Sequence, residues 1–176
     1  LNGFTGLFSL GQAGFMVIGA YTYAILTIPV KMRAMVYQYY DGGIVQFALP
    51  AIVGILAAGV MAGIFAYLVG LPVLRLKSDY LAIATLGFAE IIRAFIQYEG
   101  LGPLTNGSNL LRRFPSFSGI VYPFLAVTVC ILVIVLLIHS TYGRALKAIR
   151  DDETAAEAMG INLYFHKQLS FITSSF

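Results

Sequence analysis

The stretch Gly143–Asn162 reads GRALKAIRDDETAAEAMGIN and holds seven charged residues, whereas the sequence on both sides of it is strongly apolar. A charged segment between two membrane spans has to lie outside the bilayer, because ionised side chains are costly in hydrocarbon. Its many Ala, Arg, Lys and Glu residues favour helix. We therefore predict a membrane protein in which this segment is a helical docking surface for another polypeptide.

The composition places the chain in the membrane class. Of its 176 residues, 59% are hydrophobic and 11% are charged, against about 25% charged in a typical soluble domain. The formal net charge of +3 does not indicate nucleic-acid binding, since the Lys and Arg residues are scattered between apolar runs and form no basic stripe. The single cysteine, Cys130, lies in an apolar run, so we expect a small buried hydrophobe with no disulfide and no metal site.

Three long runs, 1–30, 42–74 and 114–143, contain no Asp, Glu, Lys or Arg. Each is long enough for a membrane helix of roughly 20 residues. A fourth candidate contains Glu90 and Arg93 but is otherwise apolar, and a fifth begins near residue 165. We predict an all-α membrane protein, a polytopic transmembrane helix bundle with one short cytoplasmic helical segment at 140–164. The predicted spans are about 7–28, 46–69, 78–98, 119–139 and 165–176, the last of them incomplete.

The chain opens with Leu inside an apolar run, so we interpret residues 1–176 as a single transmembrane domain of a longer protein, truncated at both ends. If 140–165 is cytoplasmic, counting spans puts 70–77 on the same side and puts 30–44 and 99–118 outside. The excess of basic residues on the cytoplasmic side is then modest but in the direction of the positive-inside rule. The inside set is Arg75, Lys77, Arg144, Lys147, Arg150 and Lys167, and the outside set is Lys31, Arg33, Arg112 and Arg113.

Small and polar residues inside the spans suggest where helices meet. Gly59 and Gly63 form a GxxxG pair, which lets helix backbones approach closely in lipid, although glycine is also simply commoner in membrane helices. Gln12 lies deep in the first span and is expected to face protein or a cavity, since an amide is costly in lipid. A place on a translocation path and a helix–helix hydrogen bond are both open for Gln12.

Glu90 and Arg93 lie three residues apart on the fourth candidate span and can contact each other. Facing lipid, each would cost roughly 3 kcal/mol. One hypothesis is that they line a translocation path. The alternatives are a structural pair between helices, or an Arg93 that reaches the outer interface. Asp79, with Ser78, is better explained as a helix N-cap than as a proton carrier.

The charges of the polar segment predict its local fold. Arg150 is followed at once by acids, and helix dipoles favour cations at a C-terminus and anions at an N-terminus. This fits two short helices that meet near Arg150–Asp151, and one continuous helix is the alternative. By helical spacing Ala148, Asp152, Ala155 and Met159 share a low face, and Gly160 supplies a helix stop. Docking on a partner and lying on lipid headgroups both fit such a face, and its lack of Trp, Phe and Leu favours docking.

The charged segment and several other blocks of the sequence resemble a known family. Thr154-Ala155-Ala156 followed by Gly160 is similar to the E-A-A-x-x-x-G pattern of coupling loops in ABC importer permeases, with Thr at the Glu position and without the I-x-L-P continuation. Further blocks resemble the branched-chain amino-acid permease subunits of such importers. They are Gly6–Phe15 (GLFSLGQAGF), Leu74–Arg93 (LRLKSDYLAIATLGFAEIIR), Gly143–Asn162 and Leu104–Asn109 (LTNGSN, with Asn106 where the family usually has Gly).

The resemblance implies a multi-pass permease of the bacterial inner membrane. It implies a second permease subunit, two cytoplasmic ATP-binding subunits and an extracytoplasmic substrate-binding protein as partners, besides the lipid bilayer. The chain itself would need no cofactor, because ATP would be bound by the partners, and its sequence has no G-x-x-x-x-G-K-[ST] phosphate loop. The implied ATPase-coupling residues are Gly143, Arg144, Ala148, Asp152, Glu153, Ala155, Ala156, Glu157 and Gly160.

Two other classes of function compete with this interpretation. An ion-coupled secondary amino-acid carrier would use Glu90 or Asp79 to bind a proton or cation. A membrane-bound enzyme would need catalytic groups, yet there is no paired-His metal motif, and neither His139 nor His166 has an obvious catalytic companion. We therefore predict a transport subunit with no catalytic residue and no metal site, which moves branched-chain or related hydrophobic amino acids.

Overall fold

The computed structural model of the protein describes residues 2–40, 44–76, 78–109, 111, 119 and 121–176, with the backbone alone for Asn2, Phe4, Ser78 and Asp79. Within these ranges the chain is helical and has no β-strand. The helices are α1 (Asn2–Thr5), α2 (Gln12–Thr27), α3 (Val30–Val36), α4 (Ala51–Val73), α5 (Ser78–Gln97), α6 (Gly102–Thr105), α7 (Val121–His139), α8 (Thr141–Asp151), α9 (Glu153–Ala158) and α10 (Leu163–Ser175). A 3₁₀ turn at Glu99–Leu101 precedes α6.

Three of the described helices are long and apolar enough to cross a membrane, namely Ala51–Val73, Tyr80–Gln97 and Val121–His139. An all-α membrane protein, as predicted from the sequence, is thereby confirmed. Two predicted spans have different bounds. The helix of the first predicted span, α2, begins at Gln12 and not near residue 7. Gly6 has a left-handed φ of +67°, and the Leu10 amide donates to the Thr85 hydroxyl.

The second long helix, α4, occupies Ala51–Val73 instead of 46–69. The residues directly before it are not helical, and the Leu49 amide donates to the Leu26 carbonyl at 2.8 Å, near the end of α2. Pro50 then serves as the N-cap, where its missing N–H costs nothing. Pro72 lies in the last turn of α4, one residue before the helix ends at Val73.

The core lies where α2, α4, α5 and α10 meet. Phe15 of α2 and Phe171 of α10 are almost fully buried and contact each other edge to face, with ring centroids 5.4 Å apart. The rest of the buried cluster comes from the segment before α2, from α2 itself, from the second half of α4 with the residue after it, and from the start of α5: Leu7, Ile18, Ala66, Val69, Val73, Leu74 and Leu81. In lipid, helices that bury such side chains against one another are held by close van der Waals packing and not by removal of apolar surface from water.

The connections gather at two opposite ends of the bundle. At one end the Tyr37 hydroxyl donates to the Leu104 carbonyl at 2.9 Å, so that the α2–α4 and α5–α7 connections meet. At the other end the Arg75 guanidinium lies 5.9 Å from the centre of the Tyr164 ring, which brings the α4–α5 connection to the start of α10. The charged segment α8–α9 lies at this second end, on the same side as residues 70–76.

Helix α7 projects from this core and buries none of its residues within the chain. Cys130, near its middle, is exposed. The expectation that Cys130 is buried among protein side chains is therefore wrong for the described chain, because no other helix covers α7. A helix of 19 residues without a polar face needs an apolar surrounding of another kind.

Candidate functional site

The charged segment folds as two short helices separated by Asp152. This residue is extended, with φ −157° and ψ 112°, and its Oδ1 accepts hydrogen bonds from the amides of Thr154 (2.8 Å) and Ala155 (3.1 Å). Arg150 lies in the last turn of α8 and Glu153 in the first turn of α9, as the helix dipoles favour. The two-helix interpretation is confirmed, and a continuous helix is wrong.

This break also corrects the predicted low face. An extended residue interrupts helical spacing, so Ala148, Asp152, Ala155 and Met159 do not form one stripe. Ala148 is half-buried in α8, whereas Met159 is 75% exposed beyond α9. Gly160 ends α9 as predicted: it takes a φ of +82°, and its amide donates to the Glu157 carbonyl at 2.9 Å.

Two of the candidate coupling residues are buried by other residues of the same chain. Ala156 is 1% exposed, and Gly143 is buried so tightly that the backbone of Ile138 occupies the place of a Cβ. A contact with another subunit therefore has to use exposed residues. The exposed members of the predicted set are Arg144, Asp152, Glu153, Ala155, Glu157 and Gly160.

The two short helices are fixed to the bundle on both sides. Helix α8 buries Leu146 and Ile149. Helix α9 is tied to α10 by an ion pair in which Lys167 Nζ lies 2.6 Å from Glu153 Oε2, with the lysine side chain 12% exposed. Because α10 is part of the core, a force applied to α9 meets a packed support and not a flexible loop.

Gln12 lies at the first turn of α2, where its Nε2 donates to Ser174 Oγ of α10 at 3.1 Å. This is one of the two roles left open for it, a helix–helix hydrogen bond. Gln12 also lines a cavity of about 590 Å³ between α2, α4 and α10. The other polar groups on its wall are Tyr23, Ser174 and Ser175. The two roles for Gln12 are therefore compatible in this geometry.

Glu90 and Arg93 form an ion pair on α5, with Arg93 Nη1 3.9 Å from Glu90 Oε2. Their side chains are 67% and 63% exposed, so the pair points away from the described core. Because ionised groups in the middle of a span are costly against lipid, this face of α5 is suited to contact protein or water. The position of the pair agrees with both hypotheses, that Glu90 and Arg93 line a translocation path and that they serve a structural contact between helices.

Gly59 and Gly63 are buried on the face of α4 that meets α10. A Cβ added at Gly59 would lie 3.0 Å from the Phe176 ring, whereas one at Gly63 would lie 3.7 Å from Ile172. The tightest contact on this face is further along, at Gly70, where a Cβ would lie 2.6 Å from Gln168 Oε1. The Gln168 amide donates to the Tyr67 carbonyl at 3.0 Å, so Gly70 makes room for an interhelical hydrogen bond.

The sequence pattern predicts Arg33 only as a basic residue of an outside connection and does not indicate the structural role that it has. Arg33 is 2% exposed and donates to the carbonyls of Ile28 (3.2 Å), Ile25 (2.9 Å) and Phe47 (2.7 Å), and also to that of Val45. Burial lowers the pKa of this guanidinium and raises that of the neighbouring Tyr37 hydroxyl. Arg33 thus joins the end of α2 to the residues that precede α4.

Some predictions fall on parts outside the described residues. These are the N-cap role of Ser78 and Asp79, which depends on their side chains, and the sidedness of Lys77, Arg112 and Arg113. Among the described residues no group of His, Cys, Asp and Glu could hold a metal ion.

Comparisons with known proteins bear on the whole chain. The family model described as branched-chain amino acid transport system / permease component matches residues 1–176. The high-affinity branched-chain amino acid transport system permease protein LivM of Escherichia coli (strain K12) is 32% identical over 98% of this chain, and that of Salmonella typhimurium is 31% identical over the same share. The chain spans 44% of the length of these relatives. No solved structure matches it.

Proposed function

The chain belongs to the family of branched-chain amino-acid transport permease components, and on that premise we propose that it is the membrane-spanning part of an ABC importer. In this proposal it carries branched-chain or related hydrophobic amino acids inward, and partner subunits hydrolyse the ATP. The observation that carries the proposal is the α8–α9 pair: a polar, exposed surface that is rigidly attached to the core of an otherwise apolar bundle.

This surface has the properties that a coupling element needs. Asp152, Ala155 and Glu157 are exposed and within reach of a partner. Ala156 and the Glu153–Lys167 ion pair hold α9 to the bundle behind them. A partner that pushes on α9 therefore moves packed helices, since closely packed interiors have low compressibility.

The proposed function requires further subunits, because the chain supplies the membrane helices and its partners supply ATP hydrolysis and substrate capture. A second permease subunit, two cytoplasmic ATP-binding subunits and an extracytoplasmic binding protein complete the transporter in a bacterial inner membrane. The α8–α9 end then faces the cytoplasm and the Arg33 end faces outward. The Glu90–Arg93 pair points away from the described core, and it therefore gives α5 a face suited to contact the second permease subunit or to line the translocation path.

The cavity beside Gln12 offers a candidate site on the path. Its wall is mostly apolar, with Phe15, Ile55 and Ala62 among its members, and its polar groups come from Gln12, Tyr23 and Ser174. A branched aliphatic side chain suits the apolar wall, and the amide and hydroxyl groups can bind the polar end of an amino acid. We assign Gln12 to the path on this ground.

The decisive experiment asks what energy drives uptake. The full-length permease is reconstituted in vesicles with its partner subunits, and uptake of radiolabelled leucine is measured. Replacing the phosphate-loop lysine of the ATPases by alanine is expected to abolish uptake. Uptake that persists in this variant, or that follows an imposed proton gradient in vesicles without ATPases, would instead favour the ion-coupled carrier.

A further inference from the structure

The residues before α2 contact the charged end of the bundle at α8. Arg150 Nη1 donates to the Gly3 carbonyl at 3.0 Å. Its aliphatic stem lies against Gly6, where an added Cβ would be 3.2 Å from Arg150 Cγ. Gly6 also has a φ of +67°, which L-residues with a side chain seldom adopt. The side chain of Arg150 thus holds this N-terminal segment, residues 3–11, at two points.

The other end of the N-terminal segment contacts α5. The Leu10 amide donates to Thr85 Oγ1 at 3.2 Å, and Thr85 is 1% exposed. A Cβ added at Gly11 would lie 2.7 Å from the Thr85 carbonyl oxygen, and one at Gly14 would lie 2.9 Å from Ala89 Cα. The two backbones are therefore in direct contact, next to the position of Glu90.

Between these two contacts the N-terminal segment is short and is anchored by one buried side chain, whereas Phe8 and Leu10 are about half exposed. Leu7 is 3% exposed and belongs to the core cluster. The stretch from Gly6 to Gly11 spans at most about 17 Å when fully extended, which limits how far its contacts with α8 and α5 can separate. By contrast α7, which leads directly into α8, buries none of its residues within the part of the chain that the structure describes, and so gives no packed route from α8 to α5 there.

We propose that Arg150 is a positioning residue that transmits movement of α8 through the N-terminal segment to α5, the helix that bears Glu90 and Arg93. The inference rests on the proposed function, because it describes how ATP-driven movement at α8–α9 reaches the membrane helices. It also gives the glycines of the block Gly6–Phe15 separate tasks. Gly6 admits the stem of Arg150, and Gly11 and Gly14 admit the backbone of α5.

The test uses the full-length transporter in vesicles and measures ATP hydrolysis and leucine uptake together. Arg150→Ala is expected to lower leucine uptake per ATP by at least about fivefold, the lower end of usual coupling between sites. Hydrolysis itself is expected to stay near the wild-type rate. Arg150→Lys keeps an aliphatic stem and one donor for the Gly3 carbonyl, so it should restore part of the ratio.

Asp151→Asn is the matched control. The Asp151 carboxylate accepts from Arg150 Nη2 (3.1 Å) and Nε (3.3 Å), whereas the contacts with Gly3 and Gly6 are made by Arg150 itself. The ratio of uptake to hydrolysis is therefore expected to stay at the wild-type value in this variant. An Asp151→Asn defect equal to that of Arg150→Ala would overturn the inference, because the ion pair and not the Gly3 contact would then matter.

Two other results would also overturn it. One is a wild-type ratio in Arg150→Ala. The other is a parallel loss of hydrolysis and uptake in a fully assembled complex, which would place Arg150 in ATPase docking. If Arg150→Ala fails to assemble, hydrogen exchange of the wild-type complex decides: amides of residues 3–11 should change protection between the nucleotide-free and vanadate-trapped states, and constant protection contradicts the route.

Failure of the inference and failure of the proposed function are distinguishable in the same vesicles. If the proposed function is wrong, the wild-type complex itself shows no ATP-dependent leucine uptake. If only the inference is wrong, the wild type transports and Arg150→Ala couples normally.

Discussion

Arg33 shows how one charged side chain can organise a whole end of the molecule. Its guanidinium binds four backbone carbonyls, among them those of Ile25 and Ile28 at the end of α2 and that of Phe47 before α4. Helix-terminal carbonyls carry partial negative charge, so they help to compensate the buried cation. The planar fork of arginine suits this arrangement, because its several donors diverge toward several acceptors.

Replacing Arg33 is therefore expected to destabilise the protein even where the charge is kept. Arg33→Lys leaves one ammonium for four carbonyls, and we expect a cost on the order of 2 kcal/mol, since a buried group that loses its partner costs about 1–3 kcal/mol. Arg33→Met should cost at least as much. The measurement is thermal unfolding of the purified full-length protein in detergent.

Lys31→Met provides the control for Arg33. Lys31 lies on the same helix, carries the same charge and is exposed, so its loss should change the free energy of unfolding by no more than about 0.5 kcal/mol. Equal effects at the two positions would contradict the role given to Arg33. The sequence alone did not distinguish them, because both are basic residues in a polar connection and only the tertiary approach of residues 45–47 separates them.

At the scale of the helix, the contact of α4 with α10 depends on which glycine meets which side chain. Gly70→Ala should displace Gln168 and break its hydrogen bond to Tyr67, at a cost of roughly 1–3 kcal/mol for an overpacked contact. Gly63→Ala, on the same face, meets only ordinary contacts and should be neutral or stabilising by up to about 1 kcal/mol. Thermal unfolding of the full-length variants compares the two, and a greater loss at Gly63 would contradict this packing.

The boundary between α8 and α9 depends on the side chain of Asp152, which caps the start of α9. Asp152→Ala removes the acceptor for the Thr154 and Ala155 amides and should destabilise the start of α9 by about 1 kcal/mol. Asp152→Asn keeps an acceptor oxygen and should preserve the helix. Hydrogen exchange of residues 153–158 in the full-length protein measures this. Equal protection in both variants would mean that packing of Ala156, and not the cap, fixes α9.

Local signals in the sequence indicated this boundary to within two residues, with one continuous helix left open, and gave the wrong face. The change from Arg150 to three acids indicates a helix junction, since helix dipoles act within one turn. Which residue of α9 turns inward depends on how the chain leaves the extended Asp152, and helical spacing cannot carry across that break. For this reason Ala156 is buried and Ala155 exposed. The start of α2 was missed likewise, because the bond of Leu10 to Thr85 joins residues 75 positions apart.

At the scale of the whole molecule, the bundle is sharply divided between a packed core and the uncovered helix α7. This helix is about 28 Å long at 1.5 Å per residue, close to the roughly 30 Å of a bilayer's hydrocarbon layer. The side chains that it leaves exposed are almost all apolar. Lipid supplies such an apolar surrounding, and we predict that α7 faces it; Cys130, about 14 Å from the first residue of α7, then lies near the middle of that layer.

This position of Cys130 predicts its chemistry in membranes. In intact vesicles holding a full-length protein whose other cysteines are replaced, a charged, membrane-impermeant maleimide should leave Cys130 unlabelled, because the reagent does not enter hydrocarbon. Labelling should appear after denaturation in detergent. In a Cys130→Ala background, Thr141→Cys is the control, since Thr141 is exposed at the start of α8, just beyond the span. It should react in vesicles that present this end to the reagent. Rapid labelling of Cys130 itself would mean that α7 borders water, and the lipid-facing role of this helix would be wrong.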